Sequence, residues 1–156
     1  LIERGISPFV AATVISVFSA MSAVSSFGVG FLPRRWPVRN GLLMAGVLMS
    51  AGSFGLIGVG SAESAYVAAG VFGLGIGGVM TLLPLAWADY FGRESYGAIR
   101  GVALSLQVLA QAAGPLMSGV LRDWSGDYTW SLTLFGILAA LAAIVALAAR
   151  QPKIRA

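Results

Sequence analysis

The 156-residue chain is 58% hydrophobic and 10% charged, with a formal net charge of +4, whereas a soluble domain typically carries about 25% charged residues. These proportions exclude a water-soluble globule and make lipid the solvent for most of the sequence. The chain has no Cys and no His, which excludes disulfides, thiol nucleophiles, His-based triads, and zinc or haem held by His or Cys.

Uncharged apolar stretches run over 7–32, 41–60, 64–91, 101–121 and 129–149. Each is long enough to cross a hydrocarbon core of roughly 30 Å as an α-helix at about 1.5 Å per residue. No alternating ten-residue pattern supports a barrel, so the fold class is an all-α integral membrane protein with five transmembrane helices.

The first span carries Ser16, Ser19, Ser22 and Ser26 within about 120° of arc, a line of hydroxyls that either packs closely against a neighbour or lines a cavity. The second span, mostly Gly, Leu, Met and Val, reads as peripheral. In the third span, Gly73, Gly75 and Gly78 spell G-x-G-x-x-G, but no strand precedes them and no aqueous pyrophosphate fits inside lipid. Gly70, Gly73 and Gly77 share one face with Tyr66 and Pro84, a smooth stripe for close helix approach. Pro84 here and Pro115 in the fourth span each remove a helical hydrogen bond, so both helices are expected to kink, either as static packing or as moving parts.

The fourth span is the most polar. Gln107, Gln111, Gly114 and Ser118 fall within about 60° of arc at 100° per residue, with Arg100 on the same line. Gln111 lies near the midplane, and its carboxamide needs partners there, supplied either by a watery cavity or by a neighbouring helix. The fifth span, built of Leu, Ala, Ile and Val, reads as peripheral like the second.

Charges collect between the spans. Arg34, Arg35, Arg39, Arg93, Arg100, Arg150, Lys153 and Arg155 fall on one side of the membrane, and only Arg4 and Arg122 on the other. This bias places the C-terminus in the cytoplasm and the N-terminus outside. Asp89 is the one carboxylate near a span interior; it pairs with Arg93 one turn on or carries a proton. A chain that starts outside, at Leu1 and with no signal-like segment, leads us to expect a missing N-terminal part, the alternative being a complete five-helix protein that inserts unaided.

The segments DYFGRESYGAIRG, QAAGPLMSG and GVLRDWSGDY, with Gly119, Leu121, Asp123, Gly126 and Tyr128 in a G-x-L-x-D-x-x-G-x-Y pattern, resemble the C-terminal half of major facilitator superfamily transporters. The likeness is strongest to the branch of monocarboxylate and oxalate/formate-type carriers. A second match lies at Gly30, Leu32, Arg35 and Arg39, with Arg34 where the family pattern is acidic. The resemblance covers helices eight to twelve of twelve and implies a partial fold, a six-helix bundle lacking its first helix.

The resemblance further implies a cavity lined by Ser16, Ser19 and Ser22 of the eighth helix, Tyr66, Thr81 and Trp87 of the tenth, and Gln107 and Gln111 of the eleventh. Gly30, Arg35, Arg39, Asp89, Arg93, Arg100, Gly119 and Asp123 would form the loop and gating motifs. The ninth and twelfth helices would face lipid. The implied function is secondary active or facilitative transport of a small organic solute, such as a monocarboxylate-like metabolite, by alternating access. The implied partners are the lipid bilayer, the small-molecule substrate and the missing N-terminal half, with no nucleic acid, no cofactor, no metal and no enzymatic activity. The implied location is the plasma or inner membrane. A competing class is a non-transporting or oligomeric five-helix membrane protein, an accessory subunit or channel.

Overall fold

The computed structural model describes residues 6–31, 36–91 and 96–148. They form α1 (Pro8–Gly30), α2 (Val38–Ile57), α3 (Ala62–Phe91), α4 (Tyr96–Ser125) and α5 (Thr129–Ala148), with no strand among them. All five helices are long and apolar enough to cross a membrane. The 20-residue α2 and α5 match the hydrocarbon thickness. The 30-residue α3 and α4 are about 45 Å long and must tilt or protrude.

Local chemistry sets several ends. Ser7 caps α1, accepting a bond from the Val10 N–H at 3.3 Å, with Pro8 in the first turn. Ser61 and Ser64 cap the start of α3 reciprocally: the Ser64 N–H donates to Ser61 Oγ at 3.2 Å and the Ser61 N–H to Ser64 Oγ at 3.1 Å. Gly126, at φ +84°, stops α4, and its N–H donates to the Arg122 carbonyl at 2.7 Å. Asp127 then starts α5, accepting from both the N–H and the hydroxyl of Thr129 at 2.9 Å. Arg122 lies over the Tyr128 ring, 5.3 Å from its centroid. The Gly126 and Tyr128 of the family-like pattern are thus the parts of a tight helix-to-helix turn.

The helices pack in the order α1, α3, α2, α5, and α4 rests lightly against α3 and α5. Glycines permit this packing, because lipid supplies little drive for helices to associate and close van der Waals contact must hold them. A Cβ on Gly73 would collide with the Phe18 carbonyl, and one on Gly77 with the Ser22 carbonyl, so this face of α3 lies directly on the α1 backbone. One on Gly75 would stand 2.7 Å from the Ala45 carbonyl and the Met49 N, on the opposite side against α2. The G-x-G-x-x-G run therefore divides between two neighbours, as packing requires.

Hydrogen bonds cross the same interfaces. Ser26 donates to the Gly77 carbonyl at 3.2 Å, Ser53 to the Leu132 carbonyl at 2.8 Å, and Ser131 to the Ser118 carbonyl at 3.3 Å. Thr13 and Tyr66 join α1 to α3, hydroxyl to hydroxyl at 2.6 Å. Tyr66→Phe is expected to cost about 1 kcal/mol, read as a lowered Tm of the purified full-length protein in detergent; an unchanged Tm would make the bond energetically neutral. Phe31, Trp36 and Phe91 are exposed at one end of the bundle, and Trp124, Tyr128 and Trp130 at the other. These are the amphipathic belts expected at two membrane interfaces.

Two expectations need correction. First, α2 covers 38–57 rather than 41–60, because Gly58 ends it, and α4 covers 96–125 rather than 101–121, because its polar ends continue as helix beyond the apolar stretch. Second, α2 is not peripheral. It lies between α3 and α5 and buries Gly41, Ala45, Gly46, Ser50, Gly52 and Ser53, while Met44, Val47 and Phe54 remain exposed. Of the two spans expected to be peripheral, α5 alone sits at an edge of the packed row, with α1 at the other edge.

Candidate functional site

On α4, successive turns bring Arg100, Gln107 and Gln111 to one side, and all three line a cavity of about 700 Å³ between α4 and the bodies of α2, α3 and α5. The cavity exists because α4 stands off from the tightly packed helices. Apart from Ser53, whose hydroxyl donates to the Leu132 carbonyl, its remaining wall is apolar and aromatic, including Met49, Phe72, Ile76, Leu104 and Phe135, with Pro84 and Trp87 of α3 also facing it. Two carboxamides and a guanidinium in such a wall are the pattern of a site for a small organic molecule, apolar surface with a few orienting polar groups.

Gln107 donates to the Met80 sulfur at 3.7 Å, a weak bond that leaves most of its amide capacity unused. Met80 also lies four residues before Pro84, whose missing N–H deprives the Met80 carbonyl of its helical partner. Likewise Pro115 in α4 deprives the Gln111 carbonyl. Arg100 is exposed and donates to the Tyr96 hydroxyl at 3.1 Å, its guanidinium 5.7 Å from that ring's centroid. Among the described residues, Arg100 is the one cation on the cavity wall, and no carboxylate lines it.

Of the eight cavity residues expected from sequence, the structure brings three to this cavity, Trp87, Gln107 and Gln111. Thr81 bonds the Gly77 carbonyl of its own helix at 3.0 Å, and Tyr66 is engaged with Thr13. Ser22 is half-buried against α3. Ser16 and Ser19 are exposed, bonding the Ala12 and Ile15 carbonyls one turn back at 3.5 and 3.0 Å. Gly30, Asp89, Gly119 and Asp123 lie near helix ends, with Asp89 and Asp123 exposed; Arg39 is half-buried in the first turn of α2. Arg35 and Arg93 lie outside the described residues, and the expected Asp89–Arg93 pair with them.

Sequence reasoning missed the aromatic wall, Phe72 and Phe135. Within an apolar span nothing distinguishes an aromatic that faces a cavity from one that faces lipid. A second cavity, of about 730 Å³, lies toward the Gly126 turn, between α1, α3 and the α4–α5 junction.

Five apolar spanning helices around a cavity of this composition define a multi-pass helical membrane protein. The chain belongs to the Major Facilitator Superfamily, whose family profile matches residues 2–156. It is similar to Monocarboxylate transporter 11 of Homo sapiens, with 30% identity over 149 residues, covering 88% of this chain and 31% of that protein. The chain thus spans about a third of the length of the curated relative it matches. No solved structure matches.

Proposed function

We propose that the chain is the C-terminal part of a carrier that moves a small organic solute across a cell membrane by alternating access, with the remaining N-terminal half of the same transporter as its partner. The observation that carries this reading is the meeting of Gln107, Gln111, Trp87 and Arg100 on one cavity, about 700 Å³ in volume, whose wall is otherwise apolar but for Ser53. A cavity of that size suits a metabolite of a few to a dozen heavy atoms, and the similarity to Monocarboxylate transporter 11 makes short-chain monocarboxylates the first solutes to test. Arg100 would meet a solute's anionic group at one end of the cavity, and the glutamines would orient it. Ser16 and Ser19, exposed on α1, would face the other half.

The distribution of Lys and Arg supports a cytoplasmic C-terminus and an outer N-terminus, which puts the Gly126 turn outside and Arg39 and Arg100 toward the cytoplasm. The light contact of α4 with its neighbours, together with Pro84 and Pro115, supports α4 as the moving element.

Uptake of labelled short-chain monocarboxylates into proteoliposomes holding the full-length carrier tests the reading; no uptake of any of them above empty vesicles would overturn it for that solute class. In the same assay, Pro115→Ala restores an N–H to the Gln111 carbonyl and stiffens α4. Exchange is expected to slow several-fold with the amount of carrier unchanged; an unaltered rate would remove Pro115 from the mechanism.

A further inference from the structure

The two cavities share four lining residues, Leu56 of α2, Phe72 of α3, and Leu132 and Phe135 of α5. They therefore meet at one wall whose four side chains are all apolar, and the Leu132 carbonyl within it already accepts from Ser53 at 2.8 Å. Its position follows from the helix bounds: Leu56 is in the last turn of α2, Phe72 is about 15 Å along α3, and Leu132 and Phe135 are in the first two turns of α5. The wall lies in the half of the bundle nearer the Gly126 turn, far from Arg100 and Trp87.

Phe72 is the fixed side of this wall. A Cβ on Gly52 would stand 2.6 Å from the Phe72 N and Cβ, so the α2 backbone presses directly on this residue. From the other side its ring stacks on Phe18, centroids 6.0 Å apart. Polar groups sit beyond the wall at both ends: Ser118 and Tyr128 line the second cavity, Gln107 and Gln111 the first. Asp127 also borders the second cavity, but its two carboxylate oxygens already accept from Thr129.

We propose that the second cavity is an outer binding vestibule in series with the Gln107–Gln111 chamber. The collar of Leu56, Phe72, Leu132 and Phe135 between them selects solutes by width and by their number of polar groups. The proposal rests on the reading of that chamber as a solute site. A polar group passing the collar finds no hydrogen-bond partner there and bears a desolvation cost of a few kcal/mol, so a polyhydroxylated solute is held back. A slender, largely apolar molecule with a single polar head passes, its head leaving Tyr128 and Ser118 for Gln111 and Gln107.

The test needs no substrate. Residues 1–156 contain no cysteine, so single cysteines can be placed in the full-length carrier, with any cysteines elsewhere replaced, and labelled from outside with the membrane-impermeant thiol reagent MTSET. Ser118→Cys is expected to react from outside, and Gln107→Cys at least tenfold more slowly. Adding Phe135→Ala opens the collar and is expected to raise the outside labelling rate of Gln107→Cys at least fivefold while leaving that of Ser118→Cys unchanged. If Phe135→Ala fails to reach the membrane, Leu132→Ala is measured in its place with the same expectation.

The proposal is overturned if Ser118→Cys is unreactive from outside, if Gln107→Cys reacts as fast as Ser118→Cys, or if opening the collar changes neither rate. Failure of the solute reading shows separately, as absent uptake in proteoliposomes while the labelling pattern holds.

Discussion

Gly77→Ala is expected to destabilise the bundle by about 3 kcal/mol, at the upper end of what overpacking a well-fitted interior costs, whereas Gly70→Ala is expected to be neutral or to stabilise by up to about 1 kcal/mol. Both glycines lie on the same stripe of α3 against α1, and in both Ala is the better helix former. What separates them is the neighbour. At Gly70 a Cβ would meet the Met21 Cγ at 3.5 Å and the Val17 Cγ1 at 3.8 Å, ordinary contacts with flexible side chains. At Gly77 it would collide with the Ser22 carbonyl, and backbone cannot yield without moving all of α1.

Moving α1 would also break the bond from Ser26 to the Gly77 carbonyl. The measurement is the Tm of the purified full-length protein, with the amount in the membrane as a second readout. Equal behaviour of the two variants would mean that α1 does not lie on α3 as closely as described.

That stripe also shows how far the sequence could be read. Gly70, Gly73 and Gly77 announce a close approach by their spacing, because only small residues let helix backbones meet in lipid. Which helix approaches is not encoded at those positions, since against Gly73 and Gly77 the partner contributes backbone, the Phe18 and Ser22 carbonyls, and against Gly70 the ordinary apolar side chains of Met21 and Val17. The five spans are legible for a related reason: lipid demands a long apolar run, and the run is visible.

Hydropathy nevertheless marks the lipid boundary rather than the helix end. It stops short of Tyr96 to Arg100 and of Arg122 to Ser125, which continue α4 on either side. It overshoots at α2, where Val59 is apolar but Gly58 has already ended the helix. The small residues Gly41, Ala45, Gly46 and Gly52 carried a signal that α2 is packed on two sides, and composition alone, without a polar contrast, hid it.

The candidate site divides in the same way. Gln107 and Gln111 are conspicuous because a carboxamide in an apolar span must be accommodated, and their common face follows from helical periodicity. Tyr66 looked equivalent to them by chemistry, yet its hydroxyl is taken up by Thr13 at 2.6 Å. A polar tip in a span signals a partner, and whether that partner is a solute or another helix depends on a contact made 53 residues away in sequence.

For Gln111 the alternatives are separable by experiment. Its side chain is exposed and lines the cavity, so Gln111→Ala leaves no buried donor or acceptor orphaned and should cost little stability. A hydrogen bond to an uncharged group of the solute is worth about 0.5–1.5 kcal/mol net and one to a carboxylate about 1.5–3 kcal/mol, so uptake by the full-length carrier is expected to fall at least about twofold, and about tenfold or more where the amide meets the carboxylate, while the amount in the membrane stays constant. Gln107→Ala should behave similarly, because the bond it gives up, to the Met80 sulfur at 3.7 Å, is weak. If either variant instead lost protein from the membrane and kept full uptake per molecule, the glutamines would be holding α4 to its neighbours, and the cavity would need another group to orient its solute. That outcome would shift the polar recognition to Arg100, the one charged group on the wall among the described residues. Arg100→Gln would then lower uptake of an anion but not of an uncharged solute of the same shape.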